Sequence, residues 1–154
     1  MKKTLLLDKI QARLKTTGLK FETTPDVIHF SIEIDNVVGK VAVFIQTYEN
    51  KILTYAVLNN KVPNEHFNDV AEYLHRANYG LLHGNFELDF NDGEVRYKLV
   101  TDCQDIANIP NQYIDRSALL PCHMIKKYGK GIIQLMLGIG SPKELIDEAE
   151  QNNK

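Results

Sequence analysis

The chain has 154 residues, a formal net charge of −2, 44% hydrophobic and 25% charged residues. That is an ordinary globular composition, with length enough for one domain around a real core. It excludes a membrane protein built on long apolar helices, a disulfide-stapled scaffold, since Cys103 and Cys122 stand alone, and a strongly basic nucleic-acid binder, since Lys126, Lys127 and Lys130 form only one small cluster.

Residues 4–17 read as a first helix, with Leu6, Leu7, Ile10 and Leu14 on one side and Gly18 as its stop. The start, Met1-Lys2-Lys3 before Leu5-Leu6-Leu7, faintly resembles a signal peptide, but Asp8 and Lys9 break the apolar run at once. A reducing, cytoplasmic setting fits this and the isolated cysteines. After a short extended piece at 21–23, three strands follow at 27–35, 40–48 and 52–59. The first alternates Ile28, Phe30, Ile32 and Ile34 with polar residues, the period of a half-buried strand. The third is apolar on both faces, which predicts a central strand or one covered on two sides. The links are short, so the three form an antiparallel meander.

Pro63 opens a second helix over 64–79, with Phe67, Val70, Ala71 and Leu74 on one stripe. Gly80 and Gly84 bracket the passage into a hairpin. There Phe86, Leu88 and Phe90 alternate with Glu87 and Asp89, and after Asp92-Gly93 the residues Val95, Tyr97 and Leu99 alternate with Arg96 and Lys98. A two-residue Asp92-Gly93 turn predicts Phe90 opposite Val95, Leu88 opposite Tyr97 and Phe86 opposite Leu99. It also sets Glu87 against Lys98 and Asp89 against Arg96, which makes one face apolar and the other ion-paired.

A loop over 102–111 leads into a helical last third. Residues 112–137 are expected to be kinked or broken at Pro121 and at Gly129 and Gly131. Ser141-Pro142-Lys143-Glu144 is a capping-box start for a final helix. The whole, residues 1–154, reads as a single α+β domain: an antiparallel sheet in the order αβββαββα packed by helices, with a C-terminal helical extension from about 138 to 154.

Three pieces of the middle segment carry a resemblance: Asn78-Tyr79-Gly80, then Gly84-Asn85-Phe86-Glu87-Leu88-Asp89, then Asp92-Gly93-Glu94-Val95-Arg96-Tyr97. This pattern resembles the YbjN-like family, which is similar in fold to type III secretion chaperones. The element order resembles it over about residues 4–137. The resemblance implies a compact α+β domain, commonly dimeric, that takes part in chaperone-like or regulatory protein binding. It implies no catalytic residues. The extended C-terminal helical segment departs from the family pattern and puts its usual dimer arrangement in question.

The residues themselves offer little chemistry. His29, His66, His75, His83 and His123 are scattered without ligand spacing. Cys122 and His123 are chain neighbours, which on a helix point about 100° apart, a poor nucleophile–base geometry. The glycines around 138–140 follow no strand and precede no Lys-Ser/Thr, so they are not a phosphate loop. Glu33 with Asp35, and Glu87 with Asp89, are strand neighbours on one face that could hold a cation, but Arg96 and Lys98 already face the second pair.

The expected function is therefore non-enzymatic protein binding, chaperone-like or regulatory, with no cofactor or metal. The partner is a protein of unknown identity, with neither nucleic acid nor membrane. The alternative is a small-molecule-binding or enzymatic domain with a cleft between sheet and helices, lined by Tyr48, Tyr55, Tyr73 and His75. The candidate interface, and the expected route to a homodimer, is the densely apolar end of the long helix: Ile125, Tyr128, Ile132, Ile133, Leu135, Met136, Leu137 and Ile139. These spread around more than one stripe, and an exposed remainder would form an interface patch.

Overall fold

A computed structural model describes residues 2–151. Helix α1 (Lys2–Thr16) is followed by β1 (Glu22–Thr23), β2 (Val27–Glu33), β3 (Lys40–Tyr48) and β4 (Lys51–Leu58). A single 3-10 turn, Asn64–His66, leads into α2 (Phe67–Asn78), then β5 (Asn85–Leu88), β6 (Val95–Asp102), α3 (Asn111–Met136) and α4 (Pro142–Gln151). The strands form one sheet in the order β1-β2-β3-β4-β6-β5, antiparallel throughout. The α+β fold expected from the sequence is the one observed.

Alternation sorts every strand into two faces. Ile28, Phe30, Val41, Val43, Ile45, Ile52, Ala56, Tyr97 and Leu99 are buried on one of them. All four helices of the described residues pack on that side, with α3 lying along β3, β4 and β6 and contacting α1, α2 and α4.

The central place of α3 explains its composition. A helix with a sheet beneath it and helices around it buries more than one stripe. It also runs unbroken through Pro121, so the break expected there does not occur. Proline removes one backbone donor, leaving the Ser117 carbonyl without its helical partner. Burial of Ala118, Pro121, Cys122 and Ile125 along the sheet offsets that loss.

The glycines within α3 are close-approach positions. A Cβ at Gly129 would sit 2.7 Å from Val38 Cγ2, and one at Gly131 would sit 2.6 Å from Tyr73 Cζ. The bare Gly131 backbone lets the Tyr73 hydroxyl donate to the Tyr128 carbonyl at 2.9 Å. The helix then ends in a Schellman motif. Gly138 has φ +70°, and the Gly138 and Ile139 amides donate to the Leu135 and Gln134 carbonyls at 3.0 and 2.9 Å. Ser141 caps α4 by pairing with Glu144 at 2.8 Å, and Leu145 and Ile146 bury against the helical layer.

The hairpin has the predicted faces and a different register. Phe86 pairs with Tyr97, Glu87 with Arg96 and Leu88 with Val95, two residues from the expected pairing. A shift of two preserves each residue's face. The cause is Asp89. Its carboxylate accepts the Asn91 amide at 2.8 Å and its carbonyl accepts the Gly93 amide at 2.8 Å. The turn therefore takes four residues, 90–93, with Gly93 at φ +79°. Phe90 leaves the strand and packs edge-on against Phe67 at 5.4 Å. The Val62 amide donates to the Gly93 carbonyl at 2.9 Å, which fastens the hairpin tip to the segment entering α2.

Candidate functional site

On the other face of the sheet no helix packs among the described residues. The register defines its surface in rows. One runs Glu22, His29, Phe44, Tyr55, Lys98, Asn85 across the six strands. A second runs Ser31, Ala42, Val57, Arg96, Glu87, and a third Val27, Gln46, Leu53, Val100. The middle of this face is aromatic and aliphatic, and it is half-buried only by its own neighbours.

These side chains are held rather than splayed. His29 stacks on Phe44 with ring centroids 4.7 Å apart and planes 13° apart. The Arg96 guanidinium lies 4.3 Å above the Tyr55 ring, a cation–π contact. Glu87 accepts from Arg96 Nε at 2.7 Å and from the Lys98 ammonium. Burial on its own would raise the Glu87 carboxyl, but the hydrogen bonds from Lys98 and Arg96 outweigh it and hold the group below the ordinary range. The same pairing raises Arg96 against the opposing effect of its burial. The result is a firm apolar centre beside an ion-paired rim at β5 and β6, the composition of a recognition surface.

The candidate interface expected from the sequence lies on the helical layer, at the end of α3. Of its eight residues, Ile125, Tyr128, Ile132, Leu135 and Met136 are buried within the domain. They face the sheet and the neighbouring helices and are not available at the surface. Ile133 is half-buried, while Leu137 and Ile139 are 67% and 50% exposed. The patch left there is small.

The four residues expected to line a cleft lie on different parts of the domain. Tyr73 is buried in the helical layer and Tyr55 lies on the open face. Tyr48 is exposed at the end of β3, and His75 is exposed on α2, so the four do not converge. Cys122 is buried and its thiol is pushed up to about 11 by desolvation, while His123 is exposed. Desolvation favours the neutral thiol, the opposite of the shift that activates a nucleophilic cysteine. A hollow of about 500 Å³ beside the hairpin is lined by Glu87, Asp89, Glu94 and Arg96; Arg96 pairs with Glu87 and Glu94, and Asp89 accepts from Asn91.

The signal for the open face was present in the sequence. Leu53, Tyr55 and Val57 alternate with Ile52, Thr54 and Ala56, so the strand is apolar on both sides. Periodicity alone reads that as a central strand or one covered on two sides; β4 is an inner strand of the sheet, covered by a helix on one side.

A single six-stranded antiparallel sheet with helices on one side and an apolar, ion-rimmed face on the other defines an α+β domain of YbjN-like fold. Among solved structures the chain is similar to the crystal structure of YbjN from E. coli, described as a candidate transcription regulator, at a TM-score of 0.62 and 17% identity, covering 95% of this chain and 92% of that one. No family model matches the sequence, and no curated protein matches it.

Proposed function

We propose that the chain is a non-catalytic protein-binding domain, regulatory or chaperone-like, working in the cytoplasm, which presents the open face of its sheet to a protein partner. The observation that carries this reading is the row His29, Phe44, Tyr55 with Leu53 and Val57 beside it, an ordered apolar surface that no helix covers among the described residues. Its ion pairs at Glu87, Arg96 and Lys98 form a polar rim on one side, the anatomy of non-obligate interfaces. The description of the structurally similar YbjN as a candidate regulator supports the regulatory version of the role. Of the eight residues expected to carry self-association, Ile133, Leu137 and Ile139 remain accessible, so we assign binding to the sheet.

Affinity capture with the wild-type chain, with Leu53→Glu/Val57→Glu and with Leu137→Glu tests the proposal. A protein retained by the wild type and by Leu137→Glu, but lost from the folded double variant, supports it. Equal retention by the double variant overturns it.

A further inference from the structure

The edge strands of the sheet are treated unequally. At β5 the outward-facing backbone of Phe86 is sealed by a side chain. The Asn78 amide accepts from Phe86 N–H at 2.7 Å and donates to Phe86 C=O at 3.0 Å, taking the place of a further strand. That pairing leaves neither ladder group of Phe86 open for another chain.

Along the same edge, β6 outruns β5. Strand β6 extends to Asp102, but its pairing with β5 stops at Lys98 opposite Asn85. At Gly84, with φ +71°, the chain turns out of the strand line. The Cys103 amide donates to the Asn50 carbonyl at 2.7 Å, so the odd-numbered residues of this strand turn to the β4 side. Val100 and Asp102 therefore direct N–H and C=O outward, and among the described residues no strand or loop backbone meets them. A slot of about 170 Å³ lies on that edge, walled on its helical side by His83, Tyr113, Arg116 and Ser117, with Asp102, paired to Lys51 at 3.9 Å, at its strand side. Its volume is below the range of ordinary small-molecule pockets, about 300–1,000 Å³, and it suits a length of backbone. Arg116 is exposed and makes no ion pair among the described residues.

We propose that this unpaired end of β6 is a docking slot for an extended, acidic segment of another polypeptide, which adds as a strand in continuation of β5. Backbone pairing to Val100 and Asp102 supplies the register. Guest side chains opposite Leu99 and Thr101 point to the helical side and meet Tyr113 and Arg116, where a carboxylate is the complement. The guest residue opposite Val100 lies on the open face and is apolar. This inference stands on the sheet edge and shares only Val100 with the open face.

The test uses the isotope-labelled full chain and a short capped peptide alternating valine and glutamate. Two control peptides carry lysine in place of glutamate, or N-methyl groups on the backbone nitrogens that would pair. The glutamate peptide is expected to shift the Val100 and Asp102 amide resonances saturably and to slow their exchange with solvent. N-methylation, the lysine peptide and the surface variant Arg116→Glu should each weaken binding about tenfold or more. Arg116→Glu should in addition favour the lysine peptide. No saturable shift at millimolar peptide overturns the proposal, as does equal binding of the N-methylated peptide. So does protection of both amides in the free protein that disappears on dilution, which would make a second copy the occupant. Retained slot binding in Val57→Glu, whose cross-strand neighbour is Arg96 rather than Val100, separates this site from the open face.

Discussion

The two faces of β4 share one backbone and nearly the same hydrophobicity, yet they sit in different surroundings. Ile52, Thr54, Ala56 and Leu58 are buried beneath α3, while Leu53, Tyr55 and Val57 are covered only by sheet neighbours. Apolar content on both sides of a strand is ordinary where two layers cover it. Here one layer is absent among the described residues, so the outward residues gain little from burial at that site. A folded domain does not need them to be apolar there, and a binding surface does.

The contrast breaks most sharply at two adjacent residues. Ala56→Glu places an unpaired carboxylate in packed core and should cost about 4 kcal/mol or more. Val57→Glu, one residue on and beside Arg96, should stay within about 1 kcal/mol. Urea titrations of both variants read the difference, and equal destabilisation would mean that the outward face is also covered. Next in size is Gly93→Val. The residue holds φ +79°, and a Cβ there would strike the Val62 carbonyl oxygen. The backbone strain is about 1–3 kcal/mol, with a clash against main chain added, so the melting midpoint should fall clearly. An unchanged midpoint would show that the hairpin tip is not docked on Val62.

Smaller again is Thr54→Val. Thr54 Oγ1 is buried on the covered face without a hydrogen-bond partner among the described residues. Removing an unsatisfied hydroxyl at nearly constant volume should stabilise the fold by up to about 1 kcal/mol, visible as a raised urea midpoint. A lowered midpoint would reveal a partner for that hydroxyl. The smallest effect belongs to the rim. The Glu87 carboxyl is depressed in the folded state, so its stabilisation is full above the unfolded value of about 4.3 and is lost as pH falls through the folded value. The stability gap between wild type and Lys98→Met should therefore be present at neutral pH and should close on acidification below about pH 4. A gap independent of pH would mean that the pair contributes through packing alone.

Local pattern made much of this fold legible. The alternation around Phe30 and Val43 gave strands close to β2 and β3, and the Phe67–Leu74 stripe gave α2. What failed depended on long-range partners. Nothing in the Asp92-Gly93 pair reveals that Asp89 caps the turn, so the register came out two residues away. Gly129 and Gly131 resemble breakers until Val38 and Tyr73 are seen to fill the space beside them. Ile125, Ile132 and Leu135 resemble an interface until the sheet and three helices surround them. The open face was missed for the converse reason, because period-two hydrophobicity carries no information on which side a helix will lie.

The most direct test of the central claim compares photo-crosslinking at two positions of the intact chain, one on each candidate surface. One crosslinker sits at Val57 on the open face, the other at Leu137 beyond the end of α3. Binding through the sheet predicts a discrete protein adduct from Val57, abolished by Leu53→Glu, and none from Leu137. An adduct from Leu137 with none from Val57 would contradict it.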